Sequence, residues 1–256
     1  MYKIISEVSI EKLAKKVNEL LEHPDRWSER GGIAVEGSGK DTKYLQAMMR
    51  ASTTPLMEDL KSELCDEHAK IMIAAGADVN AHDKQGITPL MFGSAFSTPE
   101  LVKLLIAKKA DVNAKDEEGN TPLYWAVCHS DKVENVQLLI KAGADVNAVT
   151  AGGFTMLMSA LTNNDNMGII RCLIDKGADV NAKYDGYEIK GVTPLMFALE
   201  HHHKPATIKR LLEAGADVNA EDSHGKTAWV YATLADCNKE IFDLLKEFGA
   251  DEKEKY

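Results

Sequence analysis

The chain has 256 residues, of which 45% are hydrophobic and 27% charged, enough apolar material for a core of useful size. The formal net charge is −10. An acidic surface repels phosphate backbones, and the lysines and arginines are interleaved with carboxylates rather than gathered in a stripe, so nucleic-acid binding is disfavoured. No apolar run approaches the ~20 residues that span a bilayer, and the N-terminus turns charged too soon for a secretory signal. Cys65, Cys128, Cys172 and Cys237 are scattered and form no C-x-x-C pair, so the expected location is the reducing cytoplasm.

In chain order, residues 2–6 alternate and are β-prone, which predicts a short strand. Ser9 then caps a helix with Leu13, Val17, Leu20 and Leu21 on one face, although Lys12 stands where a capping box needs Glu. His23-Pro24-Asp25 breaks it. Residues 27–36 and 42–50 read as two strands around the turn Gly37-Ser38-Gly39. The result is a small β-α-β-β, α+β domain over residues 1–51. At that size it is marginal alone and is expected to dock as a cap on the segment that begins at Thr54. Residues 32–41 imitate a phosphate loop, but Ala34 and Asp41 stand where the pattern needs Gly and Ser or Thr, so a tight hairpin is expected instead. With Tyr2-Lys3-Ile4-Ile5, Trp27, Gly31-Gly32-Ile33 and Tyr44-Leu45-Gln46-Ala47-Met48, the stretch resembles a small uncharacterised domain of bacterial and phage proteins. That resemblance implies a prokaryotic or viral setting and no assigned activity.

From Thr54 onward two signatures recur in lockstep. Gly-Ala-Asp-Val-Asn-Ala or a close variant places its Asp at Asp78, Asp111, Asp145, Asp179, Asp217 and, truncated, Asp251, in steps of 33, 34, 34, 38 and 34 residues. Each copy is preceded by a helix-start triplet, 23 or 24 residues earlier: Thr54-Pro55-Leu56, Thr88-Pro89-Leu90, Thr121-Pro122-Leu123, Thr155-Met156-Leu157, Thr193-Pro194-Leu195 and Thr227-Ala228-Trp229. A period near 33 carrying T-P-L and G-A-D-V-N resembles the ankyrin repeat family. The resemblance implies a mostly α solenoid over residues 52–256, in six repeats at about 54–81, 82–114, 115–148, 149–182, 183–220 and 221–256.

The second repeat shows the local physics. Thr88 can cap a helix whose first turn admits Pro89. Leu90, Met91 and Phe92 make the inner helix, and Thr98-Pro99-Glu100 opens an outer helix whose stripe is Leu101, Leu104 and Leu105. A left-handed Gly should stop each outer helix, but Lys109 replaces it here, so strain is expected. The residues 112–120 should form a projecting hairpin finger. Helix pairs of this kind bury one another's apolar faces, giving a quasi-one-dimensional core.

Several positions depart from the family pattern. The usual His after T-P-L is Met57, Met91, Tyr124, Met158, Met196 or Val230, so its bond to a neighbouring turn should give way to packing. Thr150 replaces the finger Asp in the fourth repeat, and the fifth finger is four residues longer. His201-His202-His203 reads as a solvated inter-helix turn, since consecutive residues do not converge on one tetrahedral metal. Cys128-His129 is placed in the equivalent turn two repeats away. Each Asn of A-D-V-N (Asn80, Asn113, Asn147, Asn181, Asn219) should hold its own turn.

No catalytic constellation, cofactor site or metal site emerges from the sequence. The reading is therefore a non-enzymatic protein-binding scaffold, a cytoplasmic monomer that contacts neither nucleic acid nor membrane. The resemblance implies that recognition uses the finger tips and the ends of the inner helices, which line the concave face. These are Lys84, Gln85, Ile87, Ala95 and Phe96; Glu117, Glu118, Asn120, Cys128 and His129; and Phe154, Thr162 and Asn163. The fifth and sixth repeats add Tyr187, Ile189, Glu200, His201, His224, Lys226 and Leu234. Phe96, Phe154, Tyr187 and Ile189 are the expected anchors. The alternatives are a small-ligand or catalytic activity in the N-terminal domain, delivered by the repeats, and an immunity or effector protein that meets a foreign partner.

Overall fold

The computed structural model describes residues 66–252, apart from residues 75, 165, 187 and 188. The expected N-terminal domain (1–51), the inner helix opened by Thr54 and the anchor Tyr187 lie outside the described residues. Eleven helices and one two-stranded ribbon are described. The inner helices are α2 (Pro89–Phe96), α4 (Pro122–His129), α6 (Met156–Asn163), α8 (Pro194–Glu200) and α10 (Ala228–Leu234). The outer helices are α1 (Asp66–Ala74), α3 (Pro99–Ala107), α5 (Val133–Lys141), α7 (Met167–Asp175), α9 (Pro205–Glu213) and α11 (Lys239–Glu247). Inner helices pack on inner helices and outer on outer, so the helices form two parallel layers. The core lies between them. Leu90, Leu123, Leu157 and Leu195 of the inner layer are fully buried against Leu101, Leu139, Leu173 and Leu211 of the outer layer.

Local chemistry sets the helix ends. Thr88, Thr121, Thr155 and Thr193 each accept a hydrogen bond from the backbone N–H three residues on, as a cap requires. Thr227, where Pro is replaced by Ala228, makes no such bond, and its hydroxyl is buried without a partner among the described residues. The methionines do more than pack. The N–H groups of Thr88 and Thr193 donate to the sulfurs of Met91 and Met196 at 3.4 Å, so a weak thioether acceptor closes the capping box. Thr98 departs from its expected role. Its side chain makes no cap bond; its N–H and hydroxyl both donate to the Asp66 carboxylate of the preceding repeat, the former at 2.8 Å.

At the outer-helix stops, Gly143, Gly177, Gly215 and Gly249 sit at φ between 84° and 100°, whereas Lys109 is forced to φ 70°. A Cβ makes that region costly. The fingers are mostly tight turns rather than hairpins. Asp83, Asp116 and Asp222 each close one by accepting two backbone N–H groups on one carboxylate oxygen. Among the described residues only the lengthened fifth finger forms a ribbon, β1 (Tyr184–Asp185) antiparallel to β2 (Lys190–Val192), and it reaches the sixth finger through Ser223 N–H to the Lys190 carbonyl (2.7 Å).

Two side-chain ladders join the repeats. The first revises the expectation for the A-D-V-N asparagines. The turn itself is held by Asp, since Asp78, Asp111, Asp145, Asp179 and Asp217 each accept the N–H two residues on. The Asn instead crosses to the next repeat. Asn147 Nδ2 donates to the Gly177 carbonyl (3.1 Å), and its Oδ1 accepts from Asp179 N–H (2.9 Å). Asn80, Asn181 and Asn219 make the same pair of bonds, and Asn113 makes the first of them to Gly143.

The second ladder satisfies carbonyls left free at the inner-helix C-termini. Asn135 Nδ2 donates to the Ser94 and Ser97 carbonyls, and Asn164 Nδ2 to those of Val127 and Ser130. His203 Nε2 donates to the Leu161 carbonyl at 2.6 Å. The three-histidine run is thus not wholly solvated: His201 and His202 are exposed, but His203 is buried.

Replacing Lys109 by Gly should raise the unfolding free energy by about 1 kcal/mol, because the left-handed position no longer opposes a side chain; an unchanged or lower urea midpoint would contradict this. Asn147→Ala should cost about 1–2 kcal/mol through two lost inter-repeat bonds, and should broaden the urea transition as coupling between repeats weakens. A sharp transition with an unchanged midpoint would show that the clamp is dispensable.

Candidate functional site: the exposed face of the inner helices

The residue four places after the Thr that precedes each described inner helix forms a column: Phe92, Trp125, Ser159, Phe197 and Tyr231. The residue eight places on forms a second: Phe96, His129, Asn163, His201 and Ala235. Positions four apart stack on one helix face, so both columns share the side of the inner layer that faces away from the outer helices.

Two aromatic clusters result. In the first, Phe92 meets Phe96 at 5.2 Å between ring centroids and Trp125 at 5.9 Å. His129 completes it, 5.5 Å from Trp125 and 6.1 Å from Phe96. In the second, Phe154 lies 4.6 Å from Tyr184 and 5.4 Å from Phe197, and Phe197 is 6.5 Å from His201. The fourth repeat separates them with Ser159 and Asn163.

The finger Asp and the first column are coupled. Asp116 Oδ2 accepts from Trp125 Nε1 (3.0 Å), and Asp222 Oδ2 accepts from the Tyr231 hydroxyl (3.0 Å). In the fourth repeat both partners change together. Thr150 replaces the Asp and still holds its turn, by accepting Phe154 N–H (3.1 Å), while Ser159 replaces the aromatic donor. The Ser159 hydroxyl is buried and has no partner among the described residues.

The expected surface residues separate by exposure. Lys84, Gln85, Glu117, Glu118, His129, Asn163, His201 and His224 are exposed, as are Glu200 and Leu234. Phe96 is 55% exposed. Ile87, Phe154, Thr162, Ile189 and Lys226 are half-buried. Phe154 packs into its neighbouring finger at Tyr184. Asn120, Ala95 and Cys128 are buried and present no free surface. Asn120 instead braces its own finger, its Nδ2 donating to Asp116 Oδ2 and Glu118 Oε2. Cys128 and His129 end helix α4 rather than forming a turn. The sequence reading missed Phe92, Trp125, Tyr184 and Phe197. The first-column aromatics were recoverable by aligning the repeats on their capping Thr.

The thiols are unsuited to nucleophilic work. Burial pushes Cys128 up to about 11, against a smaller opposing pull from the Tyr124 hydrogen bond. Burial likewise raises Cys172 and Cys237. Tyr124 itself is pushed up to about 12, by burial first, then by Cys128 and the Glu118 and Asp116 carboxylates. Among the described residues no group of three or more His, Cys, Asp or Glu side chains is placed to hold a metal ion, and no helix is long and apolar enough to cross a membrane.

A thiol held protonated reacts slowly, so Cys128 should resist iodoacetamide at about pH 8 in the native protein and react on unfolding. Rapid native labelling at Cys128, found by peptide mapping, would contradict this. The same raised value means that the unfolded thiol ionises first: its contribution to stability is complete below about pH 9 and is lost as pH rises toward 11.

No match to the chain is found among curated proteins. The family described as "Ankyrin repeats (3 copies)" matches three times, over residues 56–150, 99–184 and 157–255. These spans together cover most of the chain and coincide with the layered helix pairs, their Thr caps and the Asn ladder. The chain belongs to the ankyrin-repeat family.

Proposed function

We propose that this protein is a non-enzymatic recognition module that binds another protein through the concave face of its inner helices and the finger tips beside them. The observation that carries the reading is Phe96, a large apolar ring left 55% exposed on a face whose neighbouring positions are also aromatic. Exposed apolar rings grouped on one face favour an interface, and aromatic side chains dominate interface energetics. His129, His201, Lys84, Glu117 and Glu118, all exposed, supply a polar surround. The fold family points the same way, since ankyrin repeats are generally protein–protein interaction modules. In this reading six repeats act as one cytoplasmic monomer, with residues 1–51 as the cap of the first.

Replacing Phe96 and His201 together by Ala should lower capture of a native protein partner several-fold, while circular dichroism and the thermal midpoint stay unchanged. Equal capture by wild type and the double variant, compared by quantitative mass spectrometry, would remove this face from the function.

A further inference from the structure

The Phe92–Phe96–Trp125–His129 cluster differs from the second aromatic cluster in accessibility. Phe197 is buried and Phe154 half-buried, so the second cluster presents mainly His201 to solvent. In the first, Phe96 and His129 are exposed, and the half-buried Phe92 and Trp125 lie beside them with successive centroids 5.2 to 6.1 Å apart.

Carboxylates stand on the finger beside Trp125. Trp125 donates its indole N–H to the Asp116 carboxylate. A donor polarised by an anion leaves more electron density over its ring face, which strengthens attraction for a cation. Glu117 and Glu118 are exposed on the same finger, and Asp131 is exposed two residues beyond His129. Of the nearby cations, Lys132 donates its Nζ to the Ser97 carbonyl (3.1 Å), which fixes its ammonium at the C-terminal end of α2. Lys84 and Lys115 stand exposed on the fingers. Glu118 and Asp116 also help to keep the Tyr124 phenol protonated, behind the larger effects of burial and Cys128.

We propose that this cluster takes an arginine side chain from a basic segment of the partner protein, the guanidinium lying across the rings and its N–H groups meeting Glu117 and Glu118. The inference rests on the protein-binding reading above. Arginine suits the site better than lysine because its planar, weakly hydrated cation spreads over several rings and still donates in two directions. A purely apolar segment would cover the same rings but leave the carboxylates desolvated without a partner.

The test uses the full-length chain and three fluorescent peptides of equal length on a Gly-Ser background, carrying arginine, its neutral isostere citrulline, or leucine. The arginine peptide should bind most tightly, and its affinity should fall with added salt. Phe96→Ala and the bulk-preserving Phe96→Leu should each weaken it about fivefold, with unchanged thermal midpoints. Glu117→Gln with Glu118→Gln should weaken the arginine peptide but not the leucine peptide. The arginine assignment is overturned if citrulline binds equally well, if no arginine binding is detected, or if Phe96→Leu binds arginine like wild type. Tightest binding of the leucine peptide, abolished by Phe96→Ala, would overturn arginine while leaving a protein-binding face in place.

Discussion

A two-helix unit cannot cover its own apolar face, and the rest of this structure depends on that constraint. Leu90 on α2 and Leu101 on α3 are fully buried within a cluster that runs on through the neighbouring pairs. Stacking alone leaves the relative position of two pairs soft, because aliphatic contacts are not directional. The asparagine bridge removes that freedom. The left-handed residue that stops each outer helix turns its carbonyl outward, and an amide from the preceding repeat takes it. The Asn oxygen then returns to the Asp N–H two residues beyond that carbonyl. Helix stop and inter-repeat register are one device. This is why Lys109 is tolerated at a positive φ: its carbonyl is held by Asn80, which offsets the local strain of its side chain.

A similar coupling operates on the face opposite the outer helices. Each finger Asp organises its turn through backbone amides, and where an aromatic donor stands in the first column the second carboxylate oxygen anchors that ring. The fingers therefore position the inner-helix aromatics, and the aromatics brace the fingers. In the fourth repeat, Thr150 and Ser159 drop out of this arrangement together, and the aromatic surface is divided there into two clusters. The aromatic surface is discontinuous for a reason that resides in single residues.

Much of the architecture was legible in the chain. Capping Thr, first-turn Pro and stopping Gly act within a few residues of themselves, so their spacing announced helix ends without a view of the packing. Expectations failed where the partner lay 30 to 42 residues away. Thr98 turned to Asp66, His203 to Leu161, and the A-D-V-N asparagines to the next repeat along the stack rather than to their own turns. Met91 and Met196 do more than the packing expected of them, because each thioether accepts from the N–H of its own capping Thr three residues back.

The period, the cap residues and the acidic composition were decided by sequence alone, since each depends on covalent neighbours or on summed charge. Which aromatic rings stay in water was decided only by the tertiary structure. Phe96 and Phe154 are both rings at positions expected to be free, yet one remains 55% exposed and the other settles against Tyr184 and Phe197. The difference is the lengthened fifth finger, whose ribbon brings Tyr184 over Phe154, while the ring contacts of Phe96 among the described residues are to its own helix and the end of α4. Exposure is a property of what packs nearby, and what packs nearby comes from another repeat.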